Sequence, residues 1–231
     1  MENRDAFLNR LAQRLGREPR QTPQAWTLAD KTPLKTHIAQ QIQQQPCESF
    51  IDYATQVMQA QCELTSLAEA PQVAGRLCKH YGGGPVLLSS DPRIKGTGIA
   101  AYLRDTFGAA CWGEEENDEN TRKAAAANIG VVYAEYGLCD TGGVVLFSSV
   151  QQGRAISLLP ATTLFVLYKS RLLASVTQLA QILRQRVRAG ERLPSCINLI
   201  AGPTSTADIE LIKVVGVHGP LNAVYLIVED C

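Results

Sequence analysis

The sequence has little that would hold a metal ion or a disulfide framework. Its seven cysteines are an odd number. They include no Cys-x-x-Cys pair, whereas iron–sulfur and zinc sites need thiolates that converge on one centre. With only three histidines, a mononuclear site built from neighbouring ligands is not expected either. We therefore expect no cofactor bound by this chain, and reduced, mostly buried thiols.

Charge and hydropathy argue against two further classes of protein. Lysine plus arginine and aspartate plus glutamate number 22 each, so the chain has no basic field for nucleic acid. The longest apolar runs, such as 144–147 and 224–228, have the length of strands and not of a membrane span. The N-terminus is charged and lacks the apolar core of a signal peptide. We expect a cytoplasmic protein with neither nucleic acid nor a membrane as its partner.

The two ends of the chain differ in pattern. A helix over residues 5–16 would carry an apolar stripe of Phe7, Leu8, Leu11 and Leu15, and a proline-rich polar stretch follows it. From Cys62 onward, short runs typical of strands alternate with helical runs. We predict an N-terminal helical arm over 1–46 and an α/β domain over 47–231.

One stretch near the C-terminus has the pattern of a strand, a tight loop and the start of a helix. The apolar run 199–201 enters Gly202-Pro203, and three hydroxyl residues follow, namely Thr204, Ser205 and Thr206. Ser205 and Asp208 have the spacing of a helix capping box. The box would either cap a helix and do nothing more, or its first-turn amides could also bind a carboxylate or phosphate.

A second glycine-rich turn, 216–220, contains His218 and would return near the same sheet edge. His218 could shuttle a proton there, or it could be a loop residue that is hydrogen-bonded to the backbone.

Two β-prone runs, 129–138 and 144–149, flank Asp140-Thr141-Gly142-Gly143 and predict a hairpin. Glu135 shares a strand face with Val131 and Tyr133. A carboxylate on a buried face must be paired, hydrogen-bonded or protonated, as in a general base or a ligand-gripping acid. The other interpretation places Glu135 at the strand end, in water or paired with an arginine.

Arg154 follows Gly153 at the mouth of a predicted strand pair. Its guanidinium could hold a carboxylate or phosphate at two points.

These motifs together resemble the lactate utilisation protein C family, whose common module is the LUD domain. The resemblance rests on 134–137 with 141–143, on 153–154 with 158–160, and on 202–210 with 216–220. It implies an open, mostly parallel α/β sheet flanked by helices, similar to the sugar-phosphate isomerase and CoA-transferase superfamily. It also implies oxidation of L-lactate to pyruvate alongside two partner proteins that carry the iron–sulfur clusters. Thr163 and Ser205 stand where many LUD domains carry a histidine and a basic residue.

Three functional hypotheses follow. The first is a cluster-free subunit of a lactate-oxidising complex, in which Glu135, Arg154 and the 202–210 loop line one small-anion or partner-facing pocket. The second is a free-standing isomerase, hydrolase or acyl-transfer enzyme with Glu135 as base or nucleophile. The third is a non-catalytic assembly module. Glu135 is the candidate catalytic residue, no metal ligand is expected, and the candidate ligand-binding residues are Thr141, Gly142, Arg154, Gly202, Thr204, Ser205, Thr206, Asp208 and His218.

Overall fold

The structure is a computed structural model that describes residues 2–18, 41–113, 117–207 and 211–230. The chain divides into two units, residues 1–36 and 37–231. The first unit contains helix α1 (Glu2–Arg14), so the predicted N-terminal helix is confirmed. The proline-rich stretch that follows it lies almost entirely outside the described residues.

The second unit is built on a six-stranded sheet in which every neighbouring pair is parallel. Its strand order is β1-β12-β7-β4-β2-β3. The strands are β1 (Gln61–Ser66), β2 (Val86–Leu88), β3 (Ala110–Cys111), β4 (Ile129–Ala134), β7 (Thr162–Tyr168) and β12 (Asn222–Glu229). The central strands are almost wholly buried, which explains why they are near-continuous apolar runs in the sequence.

Helices cover both faces of this sheet, so the predicted α/β fold is confirmed. One face packs against α3 (Ala70–His80), α4 (Pro92–Gly96) and α5 (Ile99–Phe107). The other face packs against α2 (Pro46–Gln56), α6 (Asn117–Ala126) and α7 (Ala155–Leu158). Helix α7 approaches β4 closely because Gly130 has no side chain. A Cβ at Gly130 would lie 2.0 Å from the carbonyl oxygen of Ile156.

A second, four-stranded sheet has the order β8-β5-β6-β9. It comprises β5 (Tyr136–Leu138), β6 (Gly143–Phe147), β8 (Leu172–Leu173) and β9 (Ile197–Ile200), and α8 (Val176–Arg188) packs against it. Strands β5 and β6 pair antiparallel, which confirms the predicted hairpin. The first β-prone run of that hairpin is not one strand, however, because β4 ends at Ala134 and β5 belongs to the second sheet.

The predicted helix start at Ser205 is wrong. Ser205–Thr206 form strand β10, which pairs antiparallel with β11 (Val214–Val215) in a short ribbon. Residues 208–210 lie outside the described residues, so the Asp208 half of the predicted capping box is not seen. Pairing with distant valines decides the local structure here, since a capping pattern carries no information about tertiary partners.

None of the helices in the described ranges is long and apolar enough to cross a membrane.

Candidate functional site

The topology of the parallel sheet creates a crevice between β2 and β4. The chain passes from β2 outward to β3, and from β4 in the opposite direction to β7. The loops that leave the carboxyl ends of β2 and β4 therefore diverge, and ligands of open α/β sheets bind at such a switch point. Ser89 to Asp91 follow β2 at this edge, and Glu135 follows β4.

An arginine and two carboxylates join these two strand ends. We call Asp91, Arg93 and Glu135 the arginine–carboxylate cluster. The Nη1 atom of Arg93 donates to Oε2 of Glu135 at 2.6 Å. Its Nε and Nη2 atoms donate to Oδ1 and Oδ2 of Asp91 at 2.9 and 2.8 Å, in the two-point geometry that is specific to guanidinium. The backbone N–H of Arg93 also donates to Oδ1 of Asp91, which is the N-cap of α4.

The cluster is largely closed to solvent. The side chains of Asp91 and Glu135 are 8% and 12% exposed, and that of Arg93 is 38% exposed. Burial by itself would raise the pKa of Asp91, but the hydrogen bonds and charge of Arg93 outweigh it and hold that pKa below its ordinary value. The two carboxylates in turn raise the pKa of Arg93, against the effect of burial. With one cation and two anions, the cluster has a formal charge of about −1 and offers little attraction to a further anion.

Two tyrosine rings pack next to Arg93. The guanidinium carbon of Arg93 is 3.9 Å from the ring centre of Tyr133, which packs edge-on against Tyr168. The hydroxyl of Tyr168 donates to the carbonyl oxygen of Arg93 at 3.4 Å. Burial raises the pKa of Tyr133 to about 12, so its hydroxyl stays protonated at neutral pH. That buried hydroxyl has no hydrogen-bond partner among the described residues.

The turn 148–154 is fixed to the same strand end. The side chain of Gln152 accepts from the N–H of Tyr133 at 2.7 Å and donates to its carbonyl oxygen at 2.9 Å. Gly153 packs so tightly on Trp112 that a Cβ at Gly153 would lie 2.1 Å from its ring. The backbone N–H of Ser90, after β2, donates to the carbonyl oxygen of Gln151. The turn is therefore held by β4 and by the loops after β2 and β3.

A shallow cleft opens beside this turn and the ends of β6 and β9. We call it the Arg154 cleft. It spans about 160 Å³, including the part open to solvent. Besides Gln152 and Gly153, its lining residues are Leu146, Phe147, Ser148, Arg154, Ser157 and Asn198. They include one cation and no acid, in contrast with the arginine–carboxylate cluster.

The position of Glu135 combines features of both interpretations of the sequence, the buried paired carboxylate and the strand-end residue. The residue lies at the strand end, is 9% exposed, and is paired with an arginine. Sequence reasoning missed Asp91, Arg93 and Gln152 as its surroundings. One local signal was available for the first two, because Asp91-Pro92 follows the apolar run of β2 after two serines and has the pattern of an N-cap with a first-turn proline.

Thr141 and Gly142 lie in the β5–β6 hairpin, and Gly142 packs against a helix. Gly142 has a φ of +58°, and a Cβ there would come within 2.8 Å of the backbone of Ala54 in α2. The positive φ and the close approach of α2 both disfavour a side chain at position 142, which explains the glycine there by packing. Its role in ligand binding stays a prediction.

Residues 202–207, the described part of the 202–210 loop, lie away from Glu135. The N–H of Thr204 donates to the carbonyl oxygen of Pro220, and the N–H of Leu221 donates to that of Ala161, at the start of β12 and β7. These contacts place Thr204 at the amino edge of the parallel sheet. Because Ile129 and Ala134 are five residues apart on β4, this edge is about 17 Å along the strands from the carboxyl edge. Glu135 and this loop therefore do not line one pocket, which corrects the predicted arrangement.

The other residues singled out in the sequence near this edge of the sheet differ in burial and in their contacts. The N–H of buried Gly202 donates to the hydroxyl of Tyr225 at 2.8 Å. Ser205 is exposed and Thr206 half-buried in the ribbon, and His218 is exposed in the turn after β11. Thr163 is fully buried in β7, where its hydroxyl donates to the carbonyl oxygen of Ser157.

The fold and the crevice define a class of α/β protein that carries its ligand sites at the ends of parallel strands. The chain belongs to the LUD domain family, whose model matches residues 47–228, as the motifs predicted.

Relatives are similar over the full length of this chain. An Escherichia coli K12 protein named uncharacterized protein YkgG is 52% identical over 231 residues, covering all of both chains. Proteins named Lactate utilization protein C from Geobacillus kaustophilus and Bacillus subtilis are 38% and 36% identical, and each alignment covers 100% of this chain and 98% of the relative.

One solved structure has the same fold. A crystal structure of a DUF162 family protein from Deinococcus radiodurans at 1.70 Å resolution matches with a TM-score of 0.57 and 17% identity. The match covers 85% of this chain and 99% of that chain.

Proposed function

We propose that this chain is a subunit of an L-lactate utilisation system that converts L-lactate to pyruvate, and that two partner proteins carry the iron–sulfur clusters. The observation that carries the proposal is the full-length similarity to proteins named Lactate utilization protein C. Coverage of 100% of this chain and 98% of each relative supports a shared role better than a match to one module would.

Oxidation of lactate to pyruvate removes two electrons and two protons, so the system needs a redox group. The sequence has no Cys-x-x-Cys pair of the kind that iron–sulfur sites use. In the described part of the chain, no group of three or more His, Cys, Asp or Glu side chains is placed to hold a metal ion. We therefore assign the clusters to the partners.

The arginine–carboxylate cluster has a positioning role in this proposal. Arg93 ties the loop after β2 to the end of β4 and so fixes one wall of the crevice. Glu135 forms this ion pair through its Oε2 atom. Its role as a general base stays a prediction.

Gene deletion and complementation test the proposal. In a bacterium that lacks its other L-lactate dehydrogenases, deletion of this gene should abolish growth on L-lactate and leave growth on pyruvate unchanged. The intact gene supplied on a plasmid should restore growth on L-lactate. Normal growth of the deletion strain on L-lactate would contradict the proposal.

A further inference from the structure

Three exposed arginines follow one another along α8 and its C-terminal end. We call Arg184, Arg188 and Arg192 the arginine row. Arg184 and Arg188 are neighbours one helical turn apart, and Arg192 comes four residues later, just past the end of the helix. None of the three has an ion pair with a residue that the structure describes. Their positive charges are therefore free to meet a partner.

The charge pattern of α8 differs from that of an ordinary solvated helix face. Such faces mix charges of both signs, because opposite charges three or four residues apart stabilise the helix. Residues 176–190 contain no acid, so Arg184 and Arg188 repel each other without compensation. The helix dipole accounts for a cation in the last turn, such as Arg188, but Arg184 lies before that turn. An acidic surface placed against the row would relieve the repulsion.

The composition of this face is that of a protein–protein interface. Val187, next to Arg184 on the helix surface, is 54% exposed although it is apolar. Residues 171–192 contain five arginines and no lysine, and interfaces are enriched in arginine and depleted of lysine. The remaining arginine of the helix, Arg186, pairs with Glu191 and lies 5.2 Å from the Phe147 ring centre, so it belongs to the packing of α8 on the second sheet.

Other anionic surfaces fit this face less well. The apolar side of α8, including Leu179, Ile182 and Leu183, packs on the second sheet and is not free to enter a bilayer. The positive and negative charges of the whole chain balance at 22 each, so the excess of arginine in α8 leaves the rest of the chain negative. A negative body disfavours the phosphate backbone of a nucleic acid. An acidic protein surface matches both the charge of the row and its exposed valine.

We propose that the arginine row of α8 docks an acidic surface of the pair of cluster-carrying partner proteins. Arg184 and Arg188 meet carboxylates of that surface, and Val187 is covered by an apolar side chain among them. This inference rests on the proposed function for the identity of the partners, and on the charge of α8 for the acidic chemistry of the surface that docks there.

Biolayer interferometry between the purified full chain and the purified pair of cluster-carrying proteins tests the proposal. Arg184→Glu with Arg188→Glu should weaken the binding about tenfold or more, because two attractive charges become repulsive. Arg184→Gln with Arg188→Gln should have an intermediate effect, and this variant keeps the test valid if the glutamates disturb the end of the helix.

Lys79→Glu with Lys95→Glu is the matched control. It changes the net charge by the same amount as the glutamate variant of the row, at exposed lysines of α3 and α4, and should bind like the unchanged protein. Raising the salt concentration from ~50 to ~500 mM should shrink the difference between the two glutamate variants, since salt screens exposed charges.

The docking surface is refuted if the unchanged chain does not bind the pair, or if the glutamate variant of the row binds it as tightly as the lysine control. It is also refuted if the row instead binds double-stranded DNA, phosphatidylserine vesicles, or the acidic run 114–119 of a second copy, the last seen by light scattering as a dimer that the variant loses. These results are distinct from failure of the proposed function. A row variant that binds the pair normally and restores growth on L-lactate refutes this surface alone, whereas a chain that is dispensable for that growth refutes the lactate role.

Discussion

Replacement of Arg93 by methionine is the sharpest test of the arginine–carboxylate cluster. Methionine keeps an unbranched apolar side chain over the Tyr133 ring but removes the side-chain hydrogen bonds to Asp91 and Glu135. The two carboxylates, 8% and 12% exposed, then remain without their cation. Removing one partner of a buried ion pair is costly because the other charge stays desolvated.

The size of the effect follows from burial. A fully buried pair costs about 3–5 kcal/mol when one partner is removed. Here the Arg93 side chain is 38% exposed, and Asp91 keeps its backbone hydrogen bond. We therefore expect a loss of about 2–3 kcal/mol in the free energy of unfolding. For a chain of this length that loss lowers the melting temperature by roughly 4–12 °C.

Urea denaturation at neutral pH measures the loss directly. Arg76→Met is the matched control, because Arg76 is 62% exposed in its ion pair with Glu63, and its loss should cost less than about 1 kcal/mol. Adding Glu135→Gln to Arg93→Met should recover part of the lost stability, since one unpaired carboxylate becomes neutral. If Arg93→Met costs no more than Arg76→Met, the cluster does not join the two strand ends as described.

Three further predictions concern pH, packing and the Gln152 anchor. The pKa of Asp91 is lowered on folding, so its contribution to the free energy of unfolding is complete above the ordinary aspartate pKa of ~3.9 and is lost as pH falls through the lower folded value. Asp91→Asn should therefore flatten the fall in the free energy of unfolding below pH ~4. Gly130→Ala should destabilise the fold by about 1–3 kcal/mol because the new Cβ would meet Ile156. Gly96→Ala is the control and should change stability by less than about 1 kcal/mol, since a Cβ at Gly96 would have open space around it. Equal effects of the two substitutions in thermal denaturation would count against the close approach of α7. Gln152→Leu should lower the free energy of unfolding by about 1–3 kcal/mol, because two buried backbone groups of Tyr133 lose their hydrogen-bond partners. It should also speed hydrogen exchange at the Tyr133 amide. Unchanged exchange there would argue against the contact between Gln152 and Tyr133.

The central strands could be predicted because their own residues decide them. Strands β4, β7 and β12 are apolar along nearly their whole length, as strands buried on both faces must be. The β5–β6 hairpin was readable from its Asp-Thr-Gly-Gly turn. In these elements the local pattern and the tertiary environment favour the same structure.

The site was less predictable because its contacts are distant in sequence. Arg93 and Glu135 are 42 residues apart, and only the neighbouring positions of β2 and β4 in the sheet bring them together. Ser205 shows the opposite difficulty, in which a strong local signal for a helix cap yields to pairing with Val215. A sequence pattern can state what a residue is able to do, but the sheet order determines which residues meet.

Co-purification from lactate-grown cells tests the central claim most directly. The tagged chain should recover two partner proteins together with iron and sulfide, and the eluate should reduce a dye when L-lactate is added. Eluate prepared in the same way from pyruvate-grown cells controls for the dye. Recovery of the chain alone, without iron and without lactate-dependent dye reduction, would contradict the assignment as a subunit of an L-lactate-oxidising system.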